Sequence, residues 1–176
     1  MGDYYSGSIT IGGRLPAARL DEFLKTLGTQ EVTLDWGETP FRPTSESQLR
    51  EAHTEEGYLH FKNDDLRNGC YENLEEWLMT HHLGFIRRSS SYGEYPAEEV
   101  HFRKGMALRS YATDENGQTL IHQHRVDRAC RALERGRPDL AYRLLCEAIP
   151  THLPPLPPLT IGLGSRHQQA APVAAA

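Results

Sequence analysis

Asp64, Asp65 and Glu94 are the side chains in this 176-residue sequence whose type and placement come nearest to catalytic chemistry. The two aspartates follow an alternating apolar run, and Glu94 stands beside Glu98 and Glu99 near another. Hard oxygen ligands at strand ends are a common way to hold Mg²⁺, and such a centre would serve a metal-dependent hydrolase or phosphoryl-transfer enzyme. The competing reading is structural. Asn63-Asp64-Asp65 is turn chemistry, because Asx side chains bond their own backbone, and the glutamates form a solvated face. That reading needs fewer assumptions, so neither a metal nor any other cofactor is expected.

Histidine gives a second candidate. His122 and His124, two residues apart, would share one face of a strand, a spacing found in zinc sites, but a third and fourth ligand are missing at metal spacing. His81, next to His82, belongs to an apolar helical stripe and reads as a packed residue. Nucleophilic chemistry has less support: no G-x-S-x-G elbow occurs, and Cys70, Cys130 and Cys146 form no C-x-x-C pair. The three read as free, buried thiols. The glycine-rich run Gly7 to Gly13 lacks the lysine and spacing of a phosphate loop, so its glycines read as strand punctuation. No catalytic residue is assigned, and the chain reads as a non-enzyme.

Binding chemistry is better represented. Arg125, Arg128, Arg131 and Arg135 fall on one face of a helix, where guanidinium forks suit phosphates or an acidic protein. The alternative is a solvated face whose charges pair with Asp127, Glu134 and Asp139. Net charge is −5 and unevenly spread: residues 1–56 carry 10 acids against 5 bases, while 106–150 carry 6 against 7. An anionic partner would therefore meet the C-terminal half. Tyr92, Glu94, Tyr95 and Arg103 form the candidate partner-binding set, since aromatic and Arg side chains are enriched in binding hot spots; cross-strand packing is the plainer use for each.

Certain elements must position these residues. Gly7 to Gly13 reads as a short strand stopped by its glycine pair, and Leu20, Phe23, Leu24 and Leu27 repeat with helical spacing up to Gly28. Glu31 to Trp36 alternates as a second strand. Gly37 to Glu56 reads as a long connection with one helical turn at Glu46 to His53. The densest run follows, from Gly57 to Gly105: a strand ending at Asn63-Asp64-Asp65, a helix with Leu74, Trp77 and Leu78 inward, then strands with Val100 and Phe102 inward. Asp114 to Gly117 lies between two alternating runs and predicts a β-hairpin. Val126, Ala129, Cys130 and Leu133 then form the apolar stripe of a helix ended by Gly136, and Pro138 opens another whose inner face holds Leu140, Leu144, Leu145 and Ala148.

The expected architecture is α+β: a ferredoxin-like split βαβ sheet with an added β-hairpin and a C-terminal helical hairpin. Residues 1–149 form a single domain, with the helical hairpin at 123–149, and 150–176 form a Pro/Ala-rich flexible tail in which PPLPPL acts as a spacer or a polyproline ligand. Hydrophobic residues make up 38% of the chain and charged residues 24%, a globular composition. Its apolar runs fall far short of the ~20 residues of a membrane span. No charged, then apolar, leader begins at Met1, so no membrane partner and a cytoplasmic setting are expected.

Fifty central residues carry a family likeness: Cys70-Tyr71-Glu72-Asn73-Leu74-Glu75, then His82-Leu83-Gly84-Phe85, then Glu94-Tyr95 with Glu99-Val100-His101-Phe102-Arg103-Lys104-Gly105. In these the chain resembles uncharacterised small proteins of bacterial phages, plasmids and integrated elements. The resemblance implies a mobile-element context, in which small acidic proteins work by binding a larger machine, for example by inhibiting a CRISPR or restriction complex. The functional expectation is thus a non-enzymatic accessory protein that binds a macromolecule, a protein first and nucleic acid through the arginine helix second.

Overall fold

The longest element is β1 (Tyr4–Pro16), in which Ile9 and Ile11 are buried between small residues that face the other way. The computed structural model describes residues 3–91, 93 and 95–162. The first part of β1 pairs antiparallel with β2 (Leu59–Arg67) on one side and β3 (Gly84–Ser89) on the other. The two flanking strands therefore run the same way, and α3 (Glu72–Thr80) carries the chain between them. Further antiparallel pairing adds β4 (Ala97–Phe102) and β5 (Arg109–Thr113), in the order β2-β1-β3-β4-β5. The fold is mixed α and β, and among the described residues no helix is long and apolar enough to cross a membrane.

One face of the sheet is the core face. Ile9, Ile11, Phe61, Phe85, Val100 and Phe102 share a cluster with Phe23 and Leu27 of α1 (Leu20–Gly28) and with Leu74, Trp77 and Leu78 of α3. Trp77 lies at 5.2 Å from Phe23 and donates from Nε1 to Glu22 Oε1 at 3.0 Å, so a buried indole N–H finds its acceptor on α1. The connection 37–56 contains the expected helical turn as α2 (Glu46–Glu51), with Ser45 Oγ as N-cap acceptor and Leu49 buried.

The glycine pair does not stop β1. At Gly13 the strand changes partner and continues parallel to β6 (Leu159–Gly162). A Cβ on Gly12 would stand 2.1 Å from the Pro157 carbonyl oxygen and 2.9 Å from Leu156 Cγ, so only glycine lets this strap pass. Gly13 N–H then donates to the Pro157 carbonyl at 2.9 Å. The expected flexible tail is thereby corrected for 150–162. Leu156 and Leu159 are 7% and 4% exposed, the Tyr58 hydroxyl donates to the Leu156 carbonyl at 2.9 Å, and the prolines between them stay outside. Proline lacks an N–H and holds φ near the extended value, which suits a strap anchored by side chains. Residues 163–176 lie outside the described residues.

Three other local expectations change. Glu31 to Trp36 is not a strand: Glu31 takes a left-handed φ of 51°, Val32 alone is buried among the apolar residues, and Thr33 makes a single bridge to Lys62. Asn63-Asp64-Asp65 does not end β2. Asn63 Oδ1 accepts the Asp65 N–H at 2.8 Å, which is the anticipated Asx chemistry, but it serves a bulge in which two residues face one on β1, and the strand runs on to Arg67. The tight turn at Asp114 to Gly117 forms, with Asp114 Oδ1 accepting from Asn116 and Gln118. Its second arm is reduced to a bridge between Thr113 and Thr119, because α4 (Gln123–Glu134) begins a few residues later.

Candidate binding face of the helical hairpin

Gly136, at φ 68°, closes α4: its N–H donates to the Leu133 carbonyl and the Arg137 N–H to the Ala132 carbonyl, both at 2.9 Å. Pro138 then opens α5 (Pro138–Cys146), so the two helices fold back on each other. Their contact is made of small residues. Ala129, Ala132 and Ala141, with Leu140 and Leu144 partly covered, form a cluster separate from the main core. The apolar stripe read from sequence is only half used. Ala129 is buried, whereas Val126 and Cys130 are exposed and Leu133 is 55% exposed; on α5, Leu145 and Tyr142 are also exposed, Tyr142 at 63%. Among the cysteines, Cys130 is therefore not the buried thiol expected, while Cys70 and Cys146 are half-buried and all three are free.

The arginines occupy the other flank. Arg128, Arg131 and Arg135 line a groove of about 280 Å³ together with Arg137, which was missed because it lies outside the helical periodicity. Its signal was local: the residue after a C-terminal glycine and before a proline is turned back toward the helix just ended. Arg125 is set apart. It lines a cleft of about 400 Å³ with Tyr95, Tyr111, Leu120 and Ile121, between β5 and the start of α4. Among the described residues, none of the hairpin's six arginines lies within ion-pair distance of a carboxylate, so the pairing with Asp127, Glu134 and Asp139 does not form. Arg131 Nε donates instead to the Asp127 backbone carbonyl at 3.3 Å. Within 123–149 the balance is six arginines against four acids with no lysine, a net +2 on a chain of −5.

Of the partner-binding set, the two described members, Tyr95 and Arg103, lie apart. Tyr92 and Glu94 lie outside the described residues. Tyr95 is exposed just before β4, whereas Arg103 is buried just after it; eight steps of extended chain separate them by about 26 Å. Of the metal candidates, Glu94 lies outside the described residues, and Asp64 and Asp65 are described. Asp64 Oδ2 accepts the Gly37 N–H at 3.1 Å, Asp65 is exposed in the bulge, and among the described residues no three His, Cys, Asp or Glu side chains are grouped to hold an ion. His122 and His124 sit not on a strand but at the N-cap and second position of α4, with rings 5.7 Å apart.

Two charged clusters are buried in the sheet. On the core face, Arg87 Nε lies 3.0 Å from Glu75 Oε1 without aiming a hydrogen bond at it, Nη2 donates to Glu98 Oε2 at 2.6 Å, and Nη1 donates to the Gly69 carbonyl at 2.8 Å. Glu75 Oε1 also accepts the Tyr71 N–H at 2.9 Å. Burial pushes the Glu75 carboxyl up, and Arg87 offsets only part of this. With both groups committed to neighbours, the cluster ties the start of α3 to β3 and β4. On the other face, Glu99 lies 2.5 Å from both His101 Nε2 and Arg88 Nε. Burial would raise its pKa, but these two bonds outweigh it and hold the carboxyl below its ordinary value. No protein-family model matches the chain, and neither a curated protein nor a solved structure is found similar to it.

Proposed function

We propose that this chain is a non-enzymatic accessory protein of mobile-element origin that binds an acidic protein through its C-terminal helical hairpin, an inhibitor of a host defence complex such as CRISPR or restriction machinery being one instance. The observation that carries this reading is the coexistence, on one module, of uncovered apolar side chains and arginines that make no ion pair among the described residues. Protein interfaces combine an apolar centre with aromatic and Arg anchors. Leu133, Leu145 and Tyr142 supply the first, and Arg128, Arg131 and Arg135 the second. Tyr95 and Arg125 line a separate cleft, between β5 and the start of α4.

A second reading, a nucleic-acid-binding regulator, draws on the absence of ion pairs at the arginines among the described residues. Against it stand the apolar flank and a net charge of only +2 over the hairpin. The test is affinity purification from the source cell with two exposed-face variants, Arg131→Glu and Leu133→Asp, both at sites where substitution costs within about 0.5 kcal/mol of stability. A stoichiometric protein that is retained by the parent chain and lost by both variants supports the proposal. Nucleic acid bound with a steep salt dependence, lost in Arg131→Glu but kept in Leu133→Asp, would replace it with the second reading.

A further inference from the structure

The groove farthest from expectation lies where the proline strap crosses the end of the sheet. It encloses about 830 Å³ between the last residues of β1, the loop after α3, the segment after β4, and the strap. That volume falls within the range of small-molecule sites, which are mostly apolar with a few polar groups to fix orientation. Its apolar wall is Pro154, Pro155, Pro157 and Met106, and among the described residues every charged side chain lining it is basic or histidine.

Arg103 is the unusual member. It is 7% exposed, yet no carboxylate of a described residue lies within ion-pair distance. Carbonyls hold it: Nε donates to Pro154 at 3.1 Å, and Nη1 to Phe85 and Phe102 at 2.9 Å each. Nη2 makes no hydrogen bond with another described residue, so its donors remain for the groove that Arg103 lines. A buried guanidinium without a counter-ion is costly, and burial pulls its pKa below the ordinary value. Lys104 and His82 stand exposed at the same rim, again with no carboxylate within 4.0 Å among the described residues. Charge and shape together define what would be complementary: one anionic head and a compact apolar body.

We propose that this groove binds a small amphipathic anion, with a phosphate or carboxylate head at Arg103, Lys104 and His82 and its apolar body against Pro154, Pro155, Pro157 and Met106. The site is independent of the hairpin. Phosphate and carboxylate heads share the same recognition chemistry, since guanidinium and ammonium groups donate charge-assisted bonds to either. Occupancy would clasp the strap to the sheet and so raise the stability of the folded chain.

Calorimetry and thermal melting of the full chain with phenyl phosphate, benzoate, inorganic phosphate and uncharged benzyl alcohol test this. Phenyl phosphate or benzoate should bind and raise the melting temperature, whichever is tighter naming the head group, while inorganic phosphate and benzyl alcohol bind at least about tenfold more weakly, the worth of one good contact. Lys104→Gln and His82→Asn should each weaken the best anion by about tenfold, the loss of one charge-assisted bond. Both side chains are exposed, and asparagine tolerates the left-handed φ of 58° at position 82, so the unliganded variants should fold as the parent does. No binding by either aromatic anion, equal binding of benzyl alcohol, or unchanged affinity in both variants would each overturn the proposal.

Discussion

Replacing Arg87 by methionine should cost more stability than any surface charge change, because the guanidinium is 4% exposed and bridges Glu75 on α3 to Glu98 on β4. Methionine fills much of the volume but removes the charge, leaving the Glu75 carboxylate buried without its counter-ion. Removing one partner of a buried pair costs about 3–5 kcal/mol. At about 2–4 °C per kcal/mol for a chain of this size, the melting temperature should fall by about 6–20 °C. Adding Glu75→Gln removes the stranded charge and should recover most of the loss. The pH dependence follows from the sign of the Glu75 shift. Its folded pKa lies above the ordinary value through burial, and without Arg87 it rises further, so the folded state binds a proton more readily than the unfolded state. The deficit of Arg87→Met relative to the parent should therefore be full above the folded pKa of Glu75 and shrink as pH falls through it. Denaturant unfolding followed by circular dichroism across a pH series measures both. A deficit below about 1 kcal/mol, the ordinary size of a point-mutant effect, would refute the reasoning; so would one that ignores pH, or a double mutant no better than the single.

The strap offers an independent check, since Gly12→Ala forces a Cβ against Pro157 and Leu156, and it should expose 150–162 to limited proteolysis and lower the melting temperature. Leu156→Ala should cost about 2–5 kcal/mol, as for other buried leucines, whereas a true flexible tail would lose nothing. Thiol labelling at neutral pH should reach the exposed Cys130 before Cys70, whose thiol burial pushes up; equal rates would contradict the packing described. Glu99 has a depressed folded pKa, so its stabilising contribution is present above the ordinary carboxylate range and is lost as pH falls through the folded value. Glu99→Gln should therefore flatten that part of the acid-unfolding curve, and an unchanged acid slope would show that the His101 and Arg88 bonds do not hold the carboxylate.

Elements with a strong local signal were legible in the sequence. The spacing of Phe23, Leu24 and Leu27 predicts α1, the Leu74, Trp77 and Leu78 stripe predicts α3, and Gly136 followed by Pro138 predicts the break between α4 and α5, all as found. Failures came where a distant segment decided the outcome. Gly12 and Gly13 look like a strand end until Leu156 and Pro157 lie across them, and PPLPPL looks like a spacer until both its leucines are buried. Alternation at Val32 and Leu34 is real, but the positive φ at Glu31 and a lone bridge to Lys62 leave no room for a ladder. The arginine face of α4 was legible from periodicity, whereas the groove at Arg103 was not, since its walls come from four separated parts of the chain.

Electrostatics bears on the choice between an acidic protein and a nucleic acid at the hairpin. Outside residues 123–149 the chain carries 20 acids against 13 bases, so the hairpin is a small cationic patch attached to an acidic body. Screening at physiological salt has a length of about 8 Å, so the arginines dominate at contact while anything longer than the patch also feels the body. An extended polyanion laid along the groove would soon run beside acidic surface, and each phosphate beyond the patch would add repulsion. A folded partner with one acidic patch meets no such penalty. If nucleic acid binds at all, only the phosphates reaching Arg128, Arg131, Arg135 and Arg137 contribute, and the slope of log affinity against log salt should be no steeper than about −4, close to −0.9 per contact. A steeper slope would mean a longer basic track than this hairpin provides, and would refute the assignment of the contact surface to it.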